Sequence, residues 1–290
     1  MRHAAALSKR LTAPPFLIGI TLVALGTDMP ELVNSIVSCR LGHGNINVGD
    51  SIGSVFAQGT LVLGLLPFVA RAAPPVRRRE VLLTSGLTLA ALLLGVVLVR
   101  DGTLSRLDGL LLSLVWVAAT GTAWRFGGAP GEPPPRAGGA SGSAFGHAAK
   151  LFGALAVVAA AAAGLVHAVA AASAALAVPE YVVGFFGAAL GTSLPELVVD
   201  LTAMRRGQKE IALGGVLGAC LIDATLSLGI GPALFPTPID AELALRGAAV
   251  AFVAMASALM LGSRVKHDRW SGAALIALYV CGYFLLIPRP

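Results

Sequence analysis

Apolar residues in this chain come in long unbroken runs, not in the stripes or alternations of a water-soluble fold. A helix that crosses a bilayer needs about 20 mostly apolar residues. Runs of that kind lie at 15–39, 46–70, 79–99, 104–124, 149–177, 180–204, 210–235, 241–262 and 269–287. They predict nine membrane helices. The polar stretches between them are short, with one exception. Residues 125–148 are rich in Gly, Pro and Ser and read as a flexible linker between two membrane halves, 1–124 and 149–290.

Composition agrees and removes the alternatives. Apolar residues make up 56% of the 290 positions and charged residues 12%, about half the share found in soluble domains. So little polar surface cannot cover a soluble globule, and disorder requires the opposite bias. Three cysteines in a chain of this length exclude a disulfide scaffold. Strands of a membrane β-barrel alternate polar and apolar residues, which these runs do not. The fold class is therefore an all-α polytopic membrane protein.

The net charge of +6 would suggest nucleic acid in a soluble protein. Here the basic residues sort by side. If 125–148 is cytoplasmic, the loops on that side hold 15 Lys and Arg, among them Arg71, Arg77, Arg78, Arg79, Lys150, Arg205, Arg206 and Lys209. The opposite side holds 5: Arg40, Arg100, Arg106, Arg246 and Arg289. That is the positive-inside pattern. It predicts a multi-pass protein of the cell membrane with a cytoplasmic linker, and no nucleic-acid partner. Lys9 and Arg10 before an apolar stretch resemble the start of a signal peptide, but Asp28, Pro30 and Glu31 fall where its apolar region and cleavage site belong.

The chain repeats itself. Residues 19–64 align without a gap on 184–229, at an offset of 165, and more than a third of the positions are identical. The identities include Gly26 with Gly191, Thr27 with Thr192, Pro30 with Pro195, Glu31 with Glu196, Gly49 with Gly214 and Gly53 with Gly218. Shared apolar composition explains matching leucines; it does not explain a shared Gly-Thr-x-x-Pro-Glu-Leu-Val. The two Pro-Glu helices are five span steps apart. Five is odd, so they cross in opposite directions. Inverted repeats build transporters with a site near the midplane. Residues 3–19 fall opposite 168–184, the last part of a full helix in the second half. The first half is thus expected to carry a first helix that is largely truncated, through a misassigned start or a fragment.

Ionisable residues inside spans are functional candidates by default. Asp28 and Glu31 lie in the first Pro-Glu helix, Glu196 and Asp200 in the second, and Asp223 in the span after it. Asp50 reads as a membrane-edge residue. No Lys or Arg falls at mid-span to neutralise these acids, so they must bind metal cations or protons. Pro30 and Pro195 remove a backbone donor each and loosen the carbonyls four residues back. Thr27 and Thr192 stand one turn before the glutamates. Each half then offers a carboxylate, a hydroxyl and carbonyls, an oxygen set suited to hard cations. Cys39, Cys220 and Cys281 lack the spacing of a soft-metal site and read as small apolar residues. His167, among alanines, reads as a core or pore-edge residue. The glycines after each Pro-Glu helix read first as close packing, which would bring Ser54, Gln58 and Asp223 to the glutamates.

The motifs Gly26-Thr27-Asp28-Met29-Pro30-Glu31-Leu32 and Gly191-Thr192-Ser193-Leu194-Pro195-Glu196-Leu197 resemble the α-repeats of the sodium/calcium exchanger family, within the cation/calcium antiporter superfamily. The resemblance implies two inverted five-helix repeats in a ten-helix exchanger fold with both termini outside. It implies Glu31 and Glu196 as central cation ligands and, with Asp223, as the metal ligands. It implies oxygen ligands from Thr27, Thr192, Ser193 and Ser54 and from carbonyls near Ala24 and Ala189. Alternating access would exchange several Na⁺ for one Ca²⁺, the ions being cargo; no cofactor is implied.

The sequence departs from the family at informative places. The usual Gly-Asn-x-x-Gly-Ser-Asn stands as Gly49-Asp50-Ser51-Ile52-Gly53-Ser54-Val55 and, in the second half, as Gly214-Gly215-Val216-Leu217-Gly218-Ala219-Cys220. Gln58 stands for Asn or Asp, and Asp28 and Asp200 each replace a serine. Hydroxyl and amide oxygens are lost and carboxylates gained, which opens a second coupling, Ca²⁺/H⁺ or Na⁺/H⁺ exchange. Two other classes compete with antiport: an intramembrane protease, whose catalytic dyad the acids do not form, and a degenerate, non-transporting scaffold. The sequence leaves the oligomeric state open.

Overall fold

The computed structural model describes residues 14–69, 78–126, 144–262 and 268–286. The expected shortening of a first helix, and most of the 125–148 linker, fall outside that range.

The helices form where the apolar runs predict them. In chain order they are α1 (Pro15–Thr27), α2 (Met29–Arg40), α3 (Gly44–Val69), α4 (Arg78–Asp101), α5 (Arg106–Phe126), α6 (Ala144–Leu176), α7 (Glu180–Thr192), α8 (Leu194–Arg205), α9 (Lys209–Leu234), α10 (Ala241–Gly262) and α11 (Arg269–Leu286). Among the described residues six helices are long and apolar enough to cross a membrane, and the pairs α1–α2 and α7–α8 each make one more bent span, at 46° and 40°. The expected span at 269–287 is present as helix α11, but α11 is not one of these eight. Thr103–Leu104 and Thr237–Pro238 form a two-residue antiparallel bridge at one end of the bundle.

The repeat is written into the backbone as well as the sequence. The breaks fall at Asp28 (φ −77°, ψ 7°) and Ser193 (φ −79°, ψ 4°). Pro30 and Pro195 then sit in the first turn of α2 and α8, where a missing N–H costs nothing. Four π-helical turns pair off at the same offset: Gly19–Val23 with Gly184–Ala188, and Gln58–Val62 with Asp223–Ser227. Gly42 and Gly207, at φ 83° and 76°, close α2 and α8 in the left-handed conformation that glycine adopts cheaply.

α3 and α9 are the heart of the bundle: 78% and 94% of their apolar stretches are buried, against 22% for α5 and 17% for α6. Each core helix crosses the bent span of the other half, α3 on α7 and α9 on α1. The glycines make this possible. A methyl added at Gly53 would lie 2.7 Å from Cα of Phe185, and one at Gly218 would lie 2.5 Å from Cα of Ile20. Phe185 and Ile20 are repeat equivalents, so both crossings use the same device. α5 and α6 turn leucines, valines and aromatics outward, Leu107 and Val157 at 77% and 69% exposed. That outward face suits lipid, not water.

Candidate cation site

The two breaks and the two crossings bring the predicted acids to the middle of the bundle. Asp28, Glu31, Glu196, Asp200 and Asp223 are each at most 2% exposed. Neither carboxyl oxygen of Asp28, Glu31, Glu196 or Asp223 has a hydrogen-bond partner, and Oδ1 of Asp200 has none. Asp28, Glu31, Glu196 and Asp223 stand close enough to feel one another's charge. Glu31 and Glu196 lie in the first turns of α2 and α8, where the positive end of a helix favours a carboxylate. Among the described residues, no three acidic, histidine or cysteine side chains already form a metal group. Hydroxyls and backbone carbonyls beside these acids offer further oxygens.

Those donors are present. The Thr27 hydroxyl lies 3.1 Å from the carbonyls of Val23 and of Ala24, and the Thr192 hydroxyl 3.0 Å and 3.3 Å from those of Ala188 and Ala189. The carbonyls of Ala24 and Ala189 also accept the backbone N–H of Asp28 and Ser193, at 2.9 Å and 3.1 Å. The wall around Ser193 is a neutral hydrogen-bonded set. Ser193 Oγ donates to Ser54 Oγ at 3.3 Å, and Gln58 Nε2 donates to Ser193 Oγ at 3.4 Å. The repeat equivalents of these three are Asp28, Ala219 and Asp223. The two walls therefore match in backbone and differ in charge: hydroxyls and an amide on one, two carboxylates on the other. Ala219 packs instead in a small apolar cluster with Ala24 and Ile222.

Two residues that the sequence reading passed over belong here. Asp50, read as a membrane-edge residue, is 1% exposed. Its Oδ2 accepts from Asn34 Nδ2 at 2.5 Å and its Oδ1 from the Thr192 hydroxyl at 2.9 Å. Asp50 therefore ties the first half to an expected ligand of the second. Its position at the Asn of the Gly-Asn-x-x-Gly-Ser-Asn pattern was the available signal. Asn34 lies three residues after Glu31, on the same face of α2. Elsewhere the picture is plainer. His167 is exposed on α6, not in the core. Cys39 and Cys220 are buried and Cys281 is exposed.

The family described as sodium/calcium exchanger protein matches residues 1–125 and 147–287. Inner membrane protein YrbG of Escherichia coli (strain K12) is 30% identical over 255 residues, 82% of this chain and 75% of that one. Sodium/calcium exchanger MaX1 of Methanosarcina acetivorans is 36% identical over 116 residues, 39% of this chain and 32% of that one. The solved structure of the sodium-calcium exchanger NCX_Mj, soaked with 100 mM Na⁺ and 10 mM Sr²⁺, superposes with a TM-score of 0.70 at 26% identity. The match covers 97% of this chain and 90% of that one.

Proposed function

The chain belongs to the sodium/calcium exchanger protein family, and from that premise we propose that it is an antiporter exchanging Na⁺ for Ca²⁺ by alternating access. It is a multi-pass membrane transporter of cations. One observation carries the finer reading: four buried carboxylates, Asp28, Glu31, Glu196 and Asp223, lie within electrostatic range of one another, their oxygens without a well-formed hydrogen bond. Like charges so placed need a cation or protons to neutralise them, and no Lys or Arg falls at mid-span to do so. A hard divalent cation supplies two positive charges and accepts carboxylate, hydroxyl and carbonyl oxygens alike. The ions are cargo, and the reading calls for no cofactor and no catalytic residue. The linker is cytoplasmic in this reading, as the sorting of arginines requires.

Glu31 and Glu196 are the shared ligands, with Thr27 and Thr192 and the carbonyls of Ala24 and Ala189 beside them. Ser54, Gln58 and Ser193 line the neutral wall, Asp28 and Asp223 the charged one. A Ca²⁺ between the glutamates leaves no room for Na⁺ on the same oxygens, and competition for shared ligands is what couples the two fluxes. Alternating access follows from the crossings. α1 and α7 each cross a core helix at its glycines, where the backbones touch, and sliding at those two crossings would carry the change of access.

A proton-coupled exchanger is the second reading. It is favoured by Ala219, which offers no hydroxyl where the family has serine, and by the added acids Asp28 and Asp200. Inside-out vesicles separate the two. Ca²⁺ uptake driven by an outward Na⁺ gradient supports Na⁺ coupling; uptake driven only by a pH gradient supports the second. Glu196→Gln should abolish uptake of either kind, and undiminished uptake in that variant overturns the site assignment. A scaffold that transports nothing should show no Ca²⁺ binding by calorimetry.

A further inference from the structure

The repeat pairs two acids that no longer stand at matching positions in the chain. In the first half the acid is Asp50 on α3, and the equivalent position on α9 is Gly215. In the second half the acid is Asp200 on α8, and the equivalent position on α2 is Ser35. The structure explains the exchange. A Cβ built on Gly215 would meet the Asp200 carboxyl, with its Cγ at 3.1 Å and its Oδ2 at 3.2 Å. Asp200 fills the room that a side chain at 215 would take. The carboxylate has changed helix and kept its place.

Its surroundings have changed. Asp50 accepts one hydrogen bond from Asn34 and one from Thr192. The counterpart of Asn34 is Val199, which has no donor to give. The counterpart of Thr192 is Thr27, whose hydroxyl lies against the carbonyls of its own helix. Asp200 is 2% exposed, and its Oδ1 has no partner. The elements packed on α8 are α9, the end of α3 and the end of α1. Glu196, one turn earlier on α8, and Cys220 on α9 are the titratable groups within electrostatic range. Lys209 and Glu210 open α9 in the loop region. The two carboxylates thus differ: both oxygens of Asp50 accept a hydrogen bond, whereas Oδ1 of Asp200 accepts none. A buried carboxylate short of donors is neutralised either by a cation beside it or by a proton.

We propose that Asp200 is a station for a monovalent cation, Na⁺, one helical turn from Glu196 toward the Arg205 end of α8. The turn puts it about 6 Å along the axis from the central glutamate. In the orientation proposed above this is the cytoplasmic side. The single carboxylate, flanked by Val199 and Gly215, suits one positive charge; Ca²⁺ wants several charged oxygens. An ion leaving Glu196 toward the cytoplasm meets this carboxylate next. The inference rests on the exchanger reading and adds one ion position to it.

The test counts ions on the full-length protein in detergent. ²²Na⁺ binding by equilibrium dialysis and Ca²⁺ binding by calorimetry are measured for the native chain, Asp200→Asn, Val199→Asn and Glu196→Gln. Asp200→Asn should bind one Na⁺ fewer per chain and still bind Ca²⁺. Val199→Asn gives Asp200 the donor that Asp50 has, and should lose the same Na⁺ while keeping the acid. It also decides the question if Asp200→Asn does not fold. An unchanged Na⁺ count in both variants overturns the station. So does the loss of one proton released per Ca²⁺ bound in place of a lost Na⁺, because Asp200 then holds a proton. Glu196→Gln is the separate control: if it still binds Ca²⁺ normally, the exchanger site itself is misassigned.

Discussion

Replacing Asp50 by asparagine should weaken Ca²⁺ binding without unfolding the protein, and the hydrogen bonds say by how much. In the native chain the Thr192 hydroxyl donates to Asp50 Oδ1 at 2.9 Å and Asn34 donates to Oδ2 at 2.5 Å. With its one proton turned to the charged Asp50 oxygen and not to the Ala188 carbonyl 3.0 Å away, the Thr192 oxygen keeps its lone pairs for a cation. An amide at position 50 has one acceptor and one donor face. Its carbonyl keeps Asn34, and its NH₂ then turns toward Thr192, which becomes the acceptor. A Thr192 lone pair is consumed, and a charge-assisted bond becomes a neutral one. Hydrogen bonds to charged groups contribute about 1.5–3 kcal/mol and neutral ones about 0.5–1.5. The difference, about 1–2 kcal/mol, is about 5- to 30-fold in Kd. Both hydrogen-bond contacts survive and a buried charge is removed, so the weaker bonding and the smaller desolvation cost offset and the thermal midpoint should hardly move. Calorimetric Ca²⁺ titration of purified protein reads the affinity. A Kd within about twofold of native, in a folded variant, would refute the argument that Asp50 orients Thr192.

Other outcomes follow from the same geometry. Asp50→Ala leaves the buried Asn34 amide without its acceptor, and should lower stability by about 1–3 kcal/mol in a denaturation assay, where Asp50→Asn does not. Gly53→Ala and Gly218→Ala force apart backbones that already touch, and should each cost about 1–3 kcal/mol and slow exchange in vesicles. Gly26→Ala and Gly191→Ala meet nothing within 4 Å, so a thermal-stability loss like that of the crossing glycines would contradict the packing account. His43 Nδ1 and Glu180 Oε1 make a partly exposed contact at 2.9 Å between the two halves; His43→Ala should change stability by no more than about 1 kcal/mol. Ala219→Ser places a hydroxyl opposite Ala24, and should tighten the apparent Na⁺ affinity read from the Na⁺ dependence of Ca²⁺ uptake.

The exchanger architecture was legible in the chain because membrane folding is governed by one strong rule. With no water to satisfy the backbone, apolar runs of span length must become helices, and the runs fixed the helix positions to within a few residues. The repeat was equally legible, because Gly-Thr-x-x-Pro-Glu sets a break, a helix start and a first-turn carboxylate by local chemistry alone. Asp28, Glu31, Glu196 and Asp223 could be picked out singly, as charges that a span does not tolerate without purpose. Which groups answer one another could not be read the same way. Whether Asp50 lay at the membrane edge or at the site depended on how deeply α3 sits in the bundle, and glycine contacts with α7 decide that. Asn34 gave no signal, since it matters only by the carboxylate it meets across two helices. Asp200 and Asp50 are 150 residues apart and out of register in the repeat. Only the packing of α8 on Gly215 reveals that they fill matching places in the two halves, and that only Asp50 has a donor for each carboxyl oxygen.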